Sequence, residues 1–263
     1  MLIDTHCHLT YPGLVEQKDA VIARAAAAGV TRMITIGTDQ ADHLKVLAEV
    51  QRSPAVLGAL GIHPHHAHEV DSHFVAALRK QFANQAKLVA VGECGLDYHH
   101  AQAPHVVQKR IFEWQLELAA ELHLPLILHV RDAHEDALAI VARHRPEAFV
   151  VHCFTGNVME VEAWLTLGAY IGFTGIVTYK NASHVADACR RVPDDRLLVE
   201  TDAPYLSPVP KRNVKINEPS FVRHTAEYIA TIRGTTLDAI AQSTTANTVR
   251  LFGESLADQR SDR

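Results

Sequence analysis

The chain has 263 residues, 48% of them apolar, with 25 Lys plus Arg against 30 Asp plus Glu. That composition excludes a disordered chain and supplies a full hydrophobic core. The net charge of −5 excludes attraction of the whole molecule to nucleic acid or anionic lipid, so any such contact has to be local.

Short apolar, β-rich runs bounded by turn residues recur, each followed by a stretch of helical periodicity. The expected strands are Leu2 to His6, Arg32 to Ile36, Val56 to Ile62, Leu88 to Gly92, Pro125 to His129, Phe149 to His152, Ala169 to Phe173 and Arg196 to Glu200. After the first, Ala23 to Ala28 ahead of Gly29 reads as a helix with a glycine stop. After the second, Leu44, Leu47 and Val50 predict an apolar helix face. After the fourth, Val107, Ile111, Trp114, Leu118 and Leu122 predict a helix of about four turns. Further helices are expected over Ala133 to Arg143, Val158 to Leu167 and Ala182 to Arg191, and Ser207 to Pro219 reads as a long irregular loop.

Eight alternations with nearly continuous apolar strands predict an α/β protein with an all-parallel sheet covered on both faces. Closure into a single-domain (β/α)8 TIM barrel over residues 1–253 fits the count and the length, with an open doubly wound sheet as the rival. Residues 254–263 are polar and expected to form a disordered tail. No basic leader precedes an apolar run, and no stretch approaches the roughly 18 apolar residues that cross a bilayer. A cytoplasmic protein without membrane contact is therefore expected, and a monomer is the expected oligomeric state. Cys7, Cys94, Cys153 and Cys189 form no C-x-x-C pair and are expected as reduced thiols. Strand alternation turns Cys7, Cys94 and Cys153 toward the helices.

The 18 histidines are the unusual feature. Asp4, His6, His8, His63, Glu93, His129, His152 and Asp202 fall at the C-terminal ends of expected strands, the rim where such barrels carry their active sites. Alone, any one of them reads as a satisfied rim residue; their coincidence on one rim reads as a site. His6 and His8 share one face of an extended chain and can converge on one ion. Glu93 lies between that pair and His129 with His152, as expected of a carboxylate bridging two divalent ions about 4 Å apart. Mixed imidazole and carboxylate donors suit zinc or manganese and oxygen-rich sites suit magnesium, so the choice among Mg, Mn and Zn stays open. Asp202 is the expected general base and Glu200 a residue that orients a ligand. His63 is placed to touch substrate. His65, His66, His68 and His73, and likewise His99, His100 and His105, read as solvated loop residues. The phosphate-loop, H-E-x-x-H and G-x-S-x-G motifs are absent, which removes the commonest NTPase, metalloprotease and serine-hydrolase readings.

Taken together, Asp4-Thr5-His6-Cys7-His8, Gly61-Ile62-His63-Pro64-His65, Gly92-Glu93-Cys94-Gly95-Leu96-Asp97, His129-Val130-Arg131, His152-Cys153-Phe154-Thr155-Gly156 and Glu200-Thr201-Asp202-Ala203-Pro204 resemble the TatD family of metal-dependent deoxyribonucleases. The resemblance implies a two-metal centre of His6, His8, Glu93, His129, His152 and Asp202 that hydrolyses DNA phosphodiesters, often from the 3′ end of single strands. It also implies phosphate-binding roles for His63, His65 and Arg131. The compact Arg-Asn-Glu-Pro usual in the family is split here, Lys211-Arg212-Asn213 standing apart from Asn217-Glu218-Pro219. Asn217 and Glu218 are the better match to the amide and acidic positions, with Arg212 or Lys215 as the cation.

The leading expectation is thus a metal-dependent 3′-5′ exodeoxyribonuclease acting on single-stranded ends through a water activated by two ions, with Asp202 receiving the proton. An ester, lactone, amide or aminoacyl-tRNA hydrolase would use the same ions. The rival of another class is a metal-stabilised nucleic-acid or protein binding module without turnover.

Overall fold

The computed structural model describes residues 1–100 and 102–256. Eight strands, β1 (Leu2–Cys7), β2 (Val30–Gly37), β3 (Val56–Leu60), β4 (Leu88–Asp97), β5 (Leu126–Arg131), β6 (Phe149–Val151), β7 (Tyr170–Phe173) and β8 (Leu197–Val199), lie in sequence order in one sheet, each pairing parallel with the next. The chain bridges β1 to the segment after β8 at Cys7 and Ala203, so the sheet curls round into the expected barrel. Backbone N–H groups of His8 and Asp202 seal that seam, donating to Ala203 O at 2.7 Å and His6 O at 2.9 Å. The same seam sets His6 and His8 beside Asp202, although 194 residues separate His8 from Asp202.

The helices are α1 (Lys18–Ala27), α2 (Gln40–Arg52), α3 (His73–Ala83), α4 (His105–Leu122), α5 (His134–His144), α6 (Val158–Thr166), α7 (Ser183–Arg191), α8 (Val222–Arg233) and α9 (Leu237–Phe252). The first ends at Ala27, with Ala28 as its cap and Gly29 at φ +84° as the stop. An outer core of Met33, Val46, Phe112, Leu128 and Trp164, among others, fills the space between strands and helices. An inner core of Ile3, Ile34, Ile36, Leu57, Ile127 and Leu198 fills the barrel, with Leu251, Phe252 and Leu256 joining it. The ionisable side chains of the candidate site are therefore gathered toward the C-terminal mouth, above this apolar layer.

Three local expectations change. Leu44 is exposed, because α2 turns His43, Val46 and Val50 inward instead. On α4 the buried face is Gln108, Ile111, Phe112, Gln115 and Leu118, rotated from the apolar stripe so that two glutamines reach strand ends. Residues 254–256, expected within a disordered tail, form a 3-10 turn whose Leu256 is fully buried; residues 257–263 lie outside the described residues. No helix of the described residues is long and apolar enough to cross a membrane.

Candidate metal centre

The structure brings His8, Glu93, His129, His152 and Asp202 together in a cleft of about 490 Å³ at the C-terminal mouth, also lined by His63, His65, Arg131 and Tyr205, with the fully buried His6 behind them beside Glu93 and Asp202. The pairing register of β1 slips between Asp4 and Cys7. Ile3 belongs to the inner core, and His6 with His8 projects into the site above it. Their Nε2 atoms lie 3.3 Å apart. Asp4, expected at the rim, lies deeper: its carboxylate is fully buried and accepts from the Thr201 N–H at 2.9 Å and hydroxyl at 2.6 Å. Burial pushes the Asp4 carboxyl up to about 8 against those hydrogen bonds.

Glu93 stands between the two groups. Its Oε2 is 3.5 Å from His6 Nε2, while Oε1 is 2.9 Å from His129 Nδ1 and 2.6 Å from His152 Nε2. Asp202 Oδ1 is 3.3 Å from His8 Nε2 and 3.7 Å from His6 Nε2. Burial would raise the Glu93 carboxyl, but the surrounding imidazoles of His152, His63 and His6 outweigh it and hold it well below the usual range. Asp202 is likewise held low by His8 and His6 against its burial. Burial and the neighbouring His152 depress His6, whereas Glu93 and Glu200 overcome burial at His152 and raise it.

His6 Nε2 faces three potential partners, on His8, Glu93 and Asp202, and one ring proton cannot serve them all. A divalent cation can accept every one of these lone pairs, so the donor set fits a metal. The groups His6, His8 and Glu93; His6, His152 and Asp202; and His63, Glu93 and His129 each offer ligand atoms within 4.8 Å of one another.

Glu200 supports this arrangement from beneath. Almost fully buried, it accepts from the Cys153 N–H at 2.5 Å and the Thr5 hydroxyl at 3.2 Å, and its Oε1 is 3.5 Å from His152 Nδ1. His63 is tied into its loop by the His65 N–H at 3.1 Å, and its Nε2 is 3.6 Å from Glu93. Arg131 presents a half-exposed side chain whose Nη1 is 3.5 Å from the Thr155 hydroxyl, while its buried Nε lies 3.9 Å from Asp132 Oδ1.

Other expected residues fall elsewhere. Asn217 is fully buried and donates to Thr201 O at 3.0 Å and Tyr205 O at 2.5 Å, bracing the loop that carries Asp202. Glu218 pairs with Arg24 of α1 at 2.6 Å. Neither side chain lines the cleft, since each already serves as a structural tie. Arg212 is exposed, its guanidinium 3.9 Å above the Tyr179 ring, and it too lies outside the cleft lining. Cys7 and Cys94 are buried as expected, but Cys153 lines the cleft. It sits past the end of β6 at φ +44°, where strand alternation no longer governs its direction.

Sequence reasoning missed the residues around Asp97. Gln108 accepts from the Asp97 N–H at 2.8 Å and donates to its carbonyl at 2.9 Å; Gln115 does the same for Ile62, at 2.7 and 3.1 Å. These two amides pin the ends of β4 and β3. Asp97 Oδ2 in turn lies 3.1 Å from His129 Nε2, which orients the ring with Nδ1 toward Glu93. His66 and His100, expected on solvated loops, line the cleft.

Comparison with known proteins gives the same picture from outside. The family model for TatD related DNase matches residues 3–253. The uncharacterized metal-dependent hydrolase YabD of Bacillus subtilis is 39% identical over 254 residues, covering 96% of this chain and 99% of that protein. The 3′-5′ ssDNA/RNA exonuclease TatD of Erwinia tasmaniensis is 38% identical over 258 residues, covering 95% and 99%. The crystal structure of YjjV, a TatD homologue from Escherichia coli K12, superposes with a TM-score of 0.91 at 33% identity over 95% of this chain and 97% of that one. A eight-stranded parallel barrel, a mouth of imidazoles and carboxylates, and a family match over nearly the whole chain agree: the protein belongs to the TatD-related DNase family and is a metal-dependent hydrolase.

Proposed function

We propose that the protein is a 3′-5′ exodeoxyribonuclease acting on single-stranded DNA ends, with two divalent cations held by His6, His8, Glu93, His129, His152 and Asp202. The observation that carries this reading is the position of Glu93, whose two oxygens face different sets of ligands. When bound, such ions lower the pKa of water and neutralise charge on a phosphoryl group.

The chain supplies the rest. Asp202, held ionised by its histidine neighbours, is the base that takes the proton from the attacking water. Arg131, which lines the cleft with its side chain half-exposed, binds a phosphate oxygen through its terminal guanidinium nitrogens, and His63 and His65 line the same path. The net charge of −5 fits an enzyme that engages strand ends locally rather than wrapping a duplex. The names of the TatD relatives as ssDNA/RNA exonucleases support the substrate class.

The test is a 5′-labelled single-stranded oligonucleotide incubated with Mg²⁺, Mn²⁺ or Zn²⁺. A ladder shortening from the 3′ end, lost with chelator and with Asp202→Asn, is expected. Hydrolysis of an aminoacyl or other ester with no shortening of the oligonucleotide would overturn the substrate assignment, and retention of oligonucleotide without cleavage would overturn the enzyme reading.

A further inference from the structure

We propose that His65, Asp97 and His100 form a third divalent-cation site, on the rim beside the six-residue centre and with its own ligands. The starting observation is crowding on one oxygen. Asp97 Oδ2 lies 2.9 Å from His65 Nε2, 2.9 Å from His100 Nδ1 and 3.1 Å from His129 Nε2. A carboxylate oxygen offers about two lone-pair directions, so three imidazole nitrogens exceed what it can accept by one.

The His129 contact is accounted for. With Nδ1 turned to Glu93 at 2.9 Å, its Nε2–H donates to Asp97 and uses one lone pair. His65 and His100 then converge on the single direction that remains. A cation resolves the conflict, because both nitrogens can turn lone pairs, rather than protons, toward it while Asp97 adds a negative oxygen. The three ligand atoms lie within 4.8 Å of one another. Their spacing matches that of Glu93 Oε1 to His129 and His152, at 2.9 and 2.6 Å.

The ligands are held in place without an ion. The His100 N–H donates to Asp97 Oδ1 at 2.9 Å, the His65 N–H donates to His63 Nδ1 at 3.1 Å, and Gln108 fixes both sides of the Asp97 backbone. The His100 side chain is 52% exposed and that of His65 22% exposed, so solvent reaches the site from the cleft both residues line with Arg131. Three protein ligands with an open position suit an ion that takes an exogenous oxygen. Two imidazoles favour a borderline ion such as Zn²⁺ or Mn²⁺ over Mg²⁺. The site's role, gripping a phosphate oxygen of the strand next to Arg131, rests on the nuclease reading; its existence does not.

The test is equilibrium dialysis against Zn²⁺ with the ions bound per chain counted by mass spectrometry, in wild type, His65→Ala and His100→Ala. Each variant is expected to bind one ion fewer than wild type. Glu93→Ala combined with Asp202→Ala empties the main centre and should retain one ion, which adding His100→Ala removes. Equal counts in wild type and either single variant would overturn the proposal, as would loss of the retained ion in the doubly substituted protein before His100 is changed. Because His100 is exposed, its removal leaves the core untouched. None of these counts depends on whether the oligonucleotide is cleaved, so failure here and failure of the nuclease reading are separable.

Discussion

Adding one methyl group to β7, at a position that touches no cleft residue directly, should weaken metal binding. A Cβ at Gly172 would lie 2.5 Å from Glu200 Oε2, 2.8 Å from its Cδ and 2.9 Å from Oε1. Non-bonded contacts settle near 3.5 Å, so in Gly172→Ala the Glu200 carboxylate has to retreat by about 1 Å. Glu200 is almost fully buried and already bound to the Cys153 N–H and the Thr5 hydroxyl, so the retreat breaks contacts rather than swinging a free side chain. His152 then loses the partner 3.5 Å from its Nδ1. Disturbing a group that orients a metal-binding histidine typically costs 10- to 100-fold in affinity, or about 1.4 to 2.7 kcal/mol. The overpacking itself adds about 1 to 3 kcal/mol of destabilisation. Competition with a calibrated chelator reads the first quantity and denaturant unfolding of the metal-free protein reads the second. A variant that loses stability but binds metal as tightly as wild type would refute the role given to Glu200.

Other outcomes follow from the same geometry. Asp202→Asn should lower oligonucleotide turnover by about 10²- to 10⁴-fold, the usual worth of a general base, with little change in circular dichroism or unfolding midpoint; near-normal kcat would remove Asp202 from that role. Arg131→Ala should raise KM by about 10- to 100-fold, corresponding to a lost charge-assisted hydrogen bond, while kcat moves little; an unchanged KM would remove the phosphate contact. Glu49 opposes its burial with hydrogen bonds from Arg52 and Lys18, which hold its carboxyl below the ordinary value. A depressed folded-state value means stability present above the unfolded-state value of about 4.3 and lost as pH falls through the folded one. Glu49→Gln should therefore cost about 1 to 2 kcal/mol at neutral pH, allowing for the partial exposure of Arg52 and Lys18, and the difference should vanish in acid. A cost that persists unchanged in acid would place it in packing rather than charge.

How far the sequence could be read depended on how local each signal was. His6, His8, Glu93, His129 and His152 were legible because each closes an apolar run, and parallel strands in sequence order carry all such ends to one mouth. Glu200 was legible through its spacing of two from Asp202. Cys153 was not, because a single residue at φ +44° beyond a three-residue strand undoes the alternation rule. Asn217 and Glu218 match the family's motif, yet their side chains are spent on Thr201, Tyr205 and Arg24, contacts between segments that no spacing reveals. Gln108 and Gln115 lie outside the apolar stripe that predicts α4, yet both are buried and tie the site's strand ends. The cluster on Asp97 joins residues from separate loops and strands across the rim, so His65 and His100 read as solvated loop residues.

The central claim is that Glu93 stands between two cations. It is tested most directly by crystals grown with Mn²⁺ and an anomalous difference map at the manganese edge. Two peaks about 4 Å apart should flank the Glu93 carboxylate, one coordinated by His6, His8 and Asp202 and the other by His129 and His152. A single peak, or two peaks that both lie on one side of Glu93, would contradict it.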